Sequence, residues 1–557
     1  MPETRLGPAR LAWLMGLSVL TLGVGLGRSG RLTYHEAFVA QGAREMIARG
    51  DVLVPTINGR PWLEKPPLAI WLVALAGRAA GGVSEAVARL PSAVAAALLV
   101  LGVATFAARR FDATIGLLAG LVQATTAWTV QRGRLAEADM PLACLIAWTV
   151  VAFDRMRAED EGSRPGRWAF FAALGLTSLA KGVGFGAALV ATVLALVLAW
   201  DRDGVTLRRL RFLRGWVLAG LLALTWPVLV LLRHPSALAL WTLHVAGRLS
   251  SHPEHFASGP WWQYGPALFG QVLPWTPLAL AGAGRSLGRA VRRRDGGDRV
   301  LWAWAVGPVA LLSLATVKSP HYAIHALPPW SVWTALSLAR LAGRWRVRGA
   351  TPERLRRVAR VGFASLGLAF AFGFAALGPW FDRRGVEWAF YEAAGRRVRA
   401  DEPIALLYDD WDRLPYPTPF GPVPHDLAVR LFYLDRPACW RQGVEALAAE
   451  PPATRPAPFA VIGRDRDLPA LRRLGRVETL ARGPTLRSRA SRVDDRSFTL
   501  FRVTPAPTPV ASRDAAGARY EWIRPSFKPA RARARSRTAG RARSRACRSV
   551  GRGRGRR

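Results

Sequence analysis

The sequence predicts an α-helical, multi-pass membrane protein of about eleven transmembrane helices with a small C-terminal α/β domain outside the membrane. Three observations predict it. Half of the 557 residues are apolar while the formal charge is +40, a combination foreign to a single soluble globule, so the charge must be segregated from the apolar surface. Apolar residues gather in runs of roughly 16 to 24, the length an α-helix needs to cross about 30 Å of hydrocarbon. The short loops between the runs alternate between arginine-rich and arginine-poor.

The runs lie near 10–27, 88–107, 112–130, 138–155, 167–181, 183–200, 215–233, 262–283, 300–317, 321–341 and 359–379. The first follows Arg5 and Arg10 and resembles a secretory h-region, but no small-residue cleavage site of the A-x-A kind comes after it, so it reads as an uncleaved anchor. Arginines crowd the loops at Arg109–Arg110, Arg155–Arg167, Arg202–Arg214, Arg289–Arg294 and Arg344–Arg357, and the positive-inside rule makes these loops cytoplasmic. The amino terminus is then inside. Segments 28–87, 131–138, 234–261 and everything after about 380 are then outside.

Segment 28–87 is too polar to cross and too apolar for a plain loop. Glu36–Arg49 puts Phe38, Val39, Met46 and Ile47 toward one side of a helix that lies along the interface, and Leu68–Leu75 follows the turn-forming Pro66–Pro67 as a second such helix. Residues 1–380, this outer loop included, are expected to form the membrane domain. From 381 to 510 the pattern changes to short β-prone runs at Ile404–Tyr408, Phe459–Ile462 and Phe498–Val503, separated by Pro-rich and Asp-rich turns. Residues 511–557 end in an arginine-rich tail, disordered by composition. Its default reading is a solvated segment, with no nucleic-acid partner expected. Cys144, Cys439 and Cys547 form no C-x-x-C pair, so neither a disulfide framework nor a thiolate zinc site is indicated.

Only four of the 78 basic residues are lysines. Outside the tail these are Lys65, Lys181 and Lys318, all at the outer ends of helices or in the outer loop, where a compact charge on a flexible stem suits a phosphate; the plainer role is snorkelling at the interface. All eight histidines, among them His35, His244, His321 and His325, map to the same side and are suited to base or metal chemistry. Asp139 opens an apolar run in Glu137-Ala138-Asp139-Met140-Pro141, where an acid is either an N-cap or functional. His35-Glu36 opens the first interfacial helix, and Glu64-Lys65-Pro66-Pro67 ends the outer loop. Cations to neutralise a leaving phosphate, a base to take an acceptor's proton and a possible divalent metal are what transfer from a polyprenyl-phosphate sugar requires.

Tyr34-His35-Glu36, Ala43-Arg44-Glu45-Met46, Gly50-Asp51, Val54-Pro55, Asn58-Gly59, Glu64-Lys65-Pro66-Pro67 and Ala88-Arg89-Leu90-Pro91 resemble the first outer loop of aminoarabinose-transferase-like glycosyltransferases, relatives of protein O-mannosyltransferases. The similarity continues at Gly133-Arg134 to Asp139-Met140, Ala180-Lys181-Gly182, His244 to Tyr264 and Lys318-Ser319-Pro320-His321-Tyr322. It implies a GT-C fold, inverting transfer from an undecaprenyl-phosphate sugar to a lipid, glycan or protein acceptor, and a site facing the periplasm or exterior of the inner membrane. By the same resemblance Glu64 and His244 fall where the family binds a divalent metal, Lys65 where it contacts donor phosphate, and Asp139 on its second functional acid. One match fails. Where the family has Asp-Glu, with that Asp catalytic, this chain has His35-Glu36: the histidine serves as base, Glu36 or Asp139 takes the role, or activity is lost. Two rival readings are a lipid-linked-sugar transporter, against which stands the lack of an internal repeat, and an inactive relative that binds the lipid carrier or scaffolds partners.

Overall fold

The computed structural model describes residues 5–158, 165–249, 259–292, 295–382, 385–408, 424, 426–450, 458–483 and 498–505. The segment 511–557, His252, His255, His425 and the side chain of His244 lie outside the described residues. The chain divides into two compact units: Met1–Ser29, Asp51–Val54 and Leu63–Phe381 make one, and Gly30–Gly50, Pro55–Trp62 and Asp382–Arg557 the other.

The helices in chain order are α1 (Pro8–Ser18), α2 (Tyr34–Arg49, in the second unit), α3 (Leu68–Ala80), α4 (Glu85–Arg110), α5 (Ala113–Ala124), α6 (Ala127–Gly133), α7 (Asp139–Ala158), α8 (Pro165–Lys181), α9 (Phe185–Asp201), α10 (Gly204–Leu210), α11 (Leu213–Arg233), α12 (Ala237–Leu249), α13 (Tyr264–Gln271), α14 (Thr276–Arg292), α15 (Gly296–Leu314), α16 (Pro328–Val347), α17 (Pro352–Phe372) and α18 (Gly378–Phe381). Helix occupies every segment expected to cross, with local differences. The expected helix over 112–130 is α5 and α6, bent by 61°. At the break Thr125 and Thr126 turn their hydroxyls back onto the Leu121 and Val122 carbonyls at 2.7 and 2.8 Å, and the Ala127 N–H goes to Leu273 O at 2.9 Å instead of to its own helix. The expected helix over 321–341 starts as a 3-10 turn, Pro320–Ala326, and becomes α16 only at Pro328. By length and apolarity alone, α4, α11 and the stretch Pro352–Trp380 qualify as spans among the described residues, with α5–α6 a fourth if taken together.

Local sequence explains the helix ends. Ser84 caps α4, accepting from Val87 N–H at 3.3 Å, and Asp112 caps α5, accepting from Thr114 and Ile115 N–H at 2.7 and 2.9 Å. The core of the first unit forms where α4, α7, α9, α15 and α16 meet, through fully buried Leu99, Ile146, Val193, Leu301 and Trp333. Gly175 lets α8 approach α11 so closely that a Cβ there would stand 2.7 Å from the Ala219 carbonyl oxygen, as small residues do where membrane helices touch. The opposite side of α11 exposes Leu213, Leu221 and Leu232.

At the arginine-rich end the helices are tied by ion pairs: Arg110 with Asp154 at 2.6 Å, Arg157 with Asp201 and Asp203 at 2.6 and 3.1 Å, Arg299 with Asp201 at 2.5 Å, and Arg289 with Asp298 at 2.5 and 2.8 Å. Asp298 is fully buried and also accepts from Ser286 Oγ at 2.6 Å.

In the second unit α2 is capped at Thr33, whose hydroxyl accepts from Glu36 N–H while the Glu36 carboxylate accepts from Thr33 N–H at 2.9 Å, and ends at Gly50 with φ +69°. A two-residue hairpin, β1 (Thr56–Ile57) and β2 (Arg60–Pro61), turns through Asn58 and Gly59, both at positive φ. The buried Glu45 carboxylate collects Thr56 Oγ1, Asn58 N–H and Gly59 N–H at 2.8, 2.6 and 3.0 Å and Gln41 Nε2 at 3.0 Å, which pins the hairpin to α2.

The rest of the second unit holds, among the described residues, the α-helices α19 (Gly385–Arg397), α20 (Leu427–Leu434), α21 (Gly443–Ala448) and α22 (Leu468–Arg472) and a five-stranded mixed sheet, order β4-β3-β5-β7-β6, from β3 (Ile404–Tyr408), β4 (Cys439–Gln442), β5 (Phe459–Arg464), β6 (Gly475–Arg482) and β7 (Phe498–Pro505). β4, β3 and β5 run parallel; β7 and β6 are antiparallel. Ala405, Leu407, Phe459, Val461, Phe501 and Val503 alternate onto one face, as strand periodicity requires. The expected division placed all of 28–87 with the membrane helices; 30–50 and 55–62 belong instead with the sheet. The cause is visible in Arg44, which donates to Phe432 O at 2.6 Å, and in Asn58 Nδ2, which donates to Ala438 O at 2.7 Å.

Candidate active site

In the first unit, Asp139 stands at the start of α7 and is 6% exposed. It is the first helical residue, not the N-cap, and its carboxylate is taken by side chains from three other segments. The Lys181 ammonium, at the end of α8, pairs with Oδ1. Arg132, in the last turn of α6, reaches Oδ2 at 3.4 Å and also pairs with Glu137. His321 Nε2, on the 3-10 turn, lies 4.0 Å from Oδ2. Tyr322 presents its ring to the Lys181 ammonium at 3.9 Å, a cation–π contact that holds the lysine without consuming its charge.

The short chain between α6 and α7 is fixed by Arg134, 1% exposed, which donates to the Thr21 and Val24 carbonyls at 3.0 and 2.7 Å and to Ser29 Oγ at 2.7 Å. That anchor brings Arg132 and Asp139, seven residues apart, into contact.

Lys65 is half-buried and makes no hydrogen bond to the described residues. Desolvation works against its ammonium, but the charges of Glu64, Asp139, Tyr322 and Glu137 outweigh it and raise its pKa. The lysine is therefore fully charged at neutral pH and available to an anion. His321 behaves oppositely: desolvation lowers its pKa to about 3, the pull of Asp139 upward being opposed by Lys181, Arg132 and Lys65. It is a neutral imidazole at pH 7. Around the Asp139 carboxylate there is thus a fixed cationic field with a neutral hydrogen-bonding ring at its rim.

The expected site residues divide between the two units. Lys65, Lys181, Asp139 and Glu64 are in the first. Lys318 is there too, but it is 6% exposed and its ammonium is committed to the Ala315 carbonyl at the end of α15, a helix C-cap role. His35 and Glu36 are in the second unit. His35 is exposed at the start of α2, its ring 3.9 Å from that of Tyr34, and Glu36 is fully buried in the capping box. No three His, Cys, Asp or Glu side chains converge among the described residues, and the His244 side chain lies outside them, so a metal finds one described ligand, Glu64, and no step is derived through it.

Residues 64–231 match the dolichyl-phosphate-mannose-protein mannosyltransferase family. An undecaprenyl phosphate-alpha-4-amino-4-deoxy-L-arabinose arabinosyl transferase of Pseudomonas aeruginosa is 31% identical over 351 residues, 60% of each chain, and one from Sodalis glossinidius is 31% identical over 322 residues, 56% of each. The structure of ArnT from Cupriavidus metallidurans bound to undecaprenyl phosphate aligns with a TM-score of 0.68 at 20% identity, over 89% of this chain and 97% of that one. The fold is that of the ArnT structure. The archaeal oligosaccharyltransferase AglB from Archaeoglobus fulgidus aligns with a TM-score of 0.51 at 14% identity, over 78% of this chain and 64% of that one. The chain spans about 60% of the length of the curated relatives it matches.

The segment matched to the mannosyltransferase family contains Glu64, Lys65, Asp139 and Lys181. Sequence reasoning missed Arg132 and the pairing of Tyr322 with Lys181. Nothing distinguishes Arg132 in a chain of 74 arginines. The Tyr322 contact was foreshadowed only by its place in the Lys318-Ser319-Pro320-His321-Tyr322 motif.

Proposed function

We propose that this GT-C chain transfers a monosaccharide, with inversion, from a polyprenyl-phosphate donor to a lipid, glycan or protein acceptor. The observation that carries the reading is the cationic cluster built on Asp139, with the charged Lys65 beside it. A carboxylate that holds Lys181 and Arg132 in place preorganises positive charge for a leaving phosphate, and fixed charges need no reorganisation as the glycosidic bond breaks. Lys65, which makes no hydrogen bond to the described residues, takes the phosphate. Asp139 and Lys181 stand at the end of α7–α8 opposite to Arg155, Arg157 and Asp154, about 22 to 27 Å along α7 at 1.5 Å per residue. With the arginines cytoplasmic, the site faces the periplasm or exterior, about eleven helices cross, and the lipid tail of the donor lies in the bilayer.

A base must take the acceptor's proton. The family resemblance alone offers His35 for this role, a neutral imidazole being a competent acceptor at pH 7; Glu36 is occupied by its cap. The test is consumption of polyprenyl-phosphate sugars by the purified protein, with and without chelator, against Glu64→Ala, Lys65→Ala and Asp139→Asn. Full activity in all three variants sinks the proposal.

The histidine at position 35 also favours a second reading, an inactive relative that binds the lipid carrier. His35→Asp separates the two: a large gain in turnover marks a decayed site, and a loss marks a working histidine.

A further inference from the structure

His325 has no part in the chemistry above. It sits on the 3-10 turn Pro320–Ala326, where residues three apart stack on one face, so it shares a face with Tyr322, the ring that carries Lys181. Phe185 follows the Gly182-Val183-Gly184 turn after Lys181 and sets its ring 6.2 Å from Tyr322 and 6.5 Å from His325, steeply inclined to both. Lys181, Tyr322, Phe185 and His325 form one packed group that runs inward from the Asp139 pair and ends in an imidazole only 1% exposed.

The backbone carbonyl of His325 accepts from Trp304 Nε1 at 3.0 Å. Its ring is treated differently, because neither Nδ1 nor Nε2 has a hydrogen-bond partner among the described residues. Desolvation, with Lys181 nearby, holds its pKa down to about 3, so the ring is neutral, with one N–H to give and one lone pair to receive. Leaving both unmet in a dry site is costly. A hydroxyl can meet either one, as acceptor from the ring N–H or as donor to the ring lone pair.

We propose that His325 is a specificity-determining residue that hydrogen-bonds a hydroxyl of the transferred sugar. The proposal rests on the transferase reading. A bound water offers the same chemistry, and the experiment separates the two sources. A site built around a substrate hydroxyl rejects the analogue that lacks it, because the site's own polar group is then stranded.

The experiment uses the full chain in nanodiscs, with undecaprenyl phosphate carrying 4-amino-4-deoxy-arabinose or mannose, each alongside its monodeoxy analogues. kcat/KM and the melting temperature are measured for the unaltered protein, His325→Phe and His325→Gln. The unaltered protein is expected to disfavour one monodeoxy analogue at least tenfold. His325→Phe narrows that gap to within twofold, mainly through the parent sugar, and His325→Gln, again donor and acceptor, restores most of it. Equal use of all analogues by the unaltered protein overturns the inference whether or not the variants fold. So does a His325→Phe protein that melts lower with its analogue preferences intact, the result for a histidine that holds only water. No turnover of any donor in a panel of undecaprenyl-phosphate sugars that includes these two overturns the transferase reading itself, and this inference with it.

Discussion

Asp139 and Lys181 have side chains only 9% and 6% exposed, so neither charge is tolerable without the other. Removing one partner of so dry a pair costs about 3–5 kcal/mol, because the remaining charge stays buried. Asp139→Ala is therefore expected to lower thermal stability in detergent and to abolish turnover; Asp139→Asn, which keeps the shape, spares more of the fold and still abolishes turnover. A variant with normal turnover in either form contradicts the assigned role. His321 makes a pH-dependent contribution whose sign follows from its lowered pKa. Between about pH 3 and the ordinary value near 6.5, the unfolded chain binds a proton that the folded chain does not, so stability rises with pH across that window and is complete above it. Acidification from pH 7 to 5 is expected to lower the melting temperature, and His321→Asn to flatten that slope; a variant with an unchanged slope refutes the assignment. At this scale the sequence was legible where a residue type was rare. Three lysines outside the tail, and an acid before an apolar run, stood out; Arg132 was hidden by its own abundance, and the hydrogen bond of Lys318 to the Ala315 carbonyl by its dependence on how the chain turns after α15.

Among the elements, helix positions were readable from apolar runs because crossing a bilayer demands them. Their interruptions were not, since the α5–α6 bend depends on where two threonine hydroxyls point. The strands β3, β5 and β7, apolar and central, coincide with the expected runs. The strands β4 and β6 were missed because they are the sheet edges and carry Arg441, Arg476, Glu478 and Arg482, the polar dressing that keeps edges from pairing with other chains. The arginine-rich loops likewise read as a topology signal alone, whereas Asp154, Asp201 and Asp298 convert part of that charge into helix-to-helix ties. Asp298→Ala strands the Arg289 guanidinium and leaves Ser286 without its acceptor; a loss of about 3–5 kcal/mol is expected, read as a lower melting temperature with donor affinity preserved. A change in donor affinity at normal stability would place this network in the site's workings instead.

For the molecule as a whole, fold class followed from composition and patterning, and the GT-C resemblance from motifs spread over residues 28–341. The membership of 30–50 and 55–62 in the sheet-bearing unit was not legible, because it rests on contacts such as Arg44 with Phe432, 388 residues apart, that no local pattern announces. Both the arginines and the Asp139 cluster follow from one constraint: charge is excluded from the bilayer and collects at the two helix ends. One end is filled with arginine–aspartate ties and the other with the lysines, an aspartate and a neutral histidine. The central claim is that this second end transfers sugar from a lipid phosphate. The measurement that tests it most directly is donor consumption by the purified full-length protein in nanodiscs, across a panel of undecaprenyl-phosphate sugars, beside Lys65→Ala and Asp139→Asn. Turnover of at least one donor is expected, falling at least a hundredfold in both variants; turnover indifferent to both substitutions, or donor binding without turnover across the panel and with crude acceptor extracts, would overturn the transferase assignment.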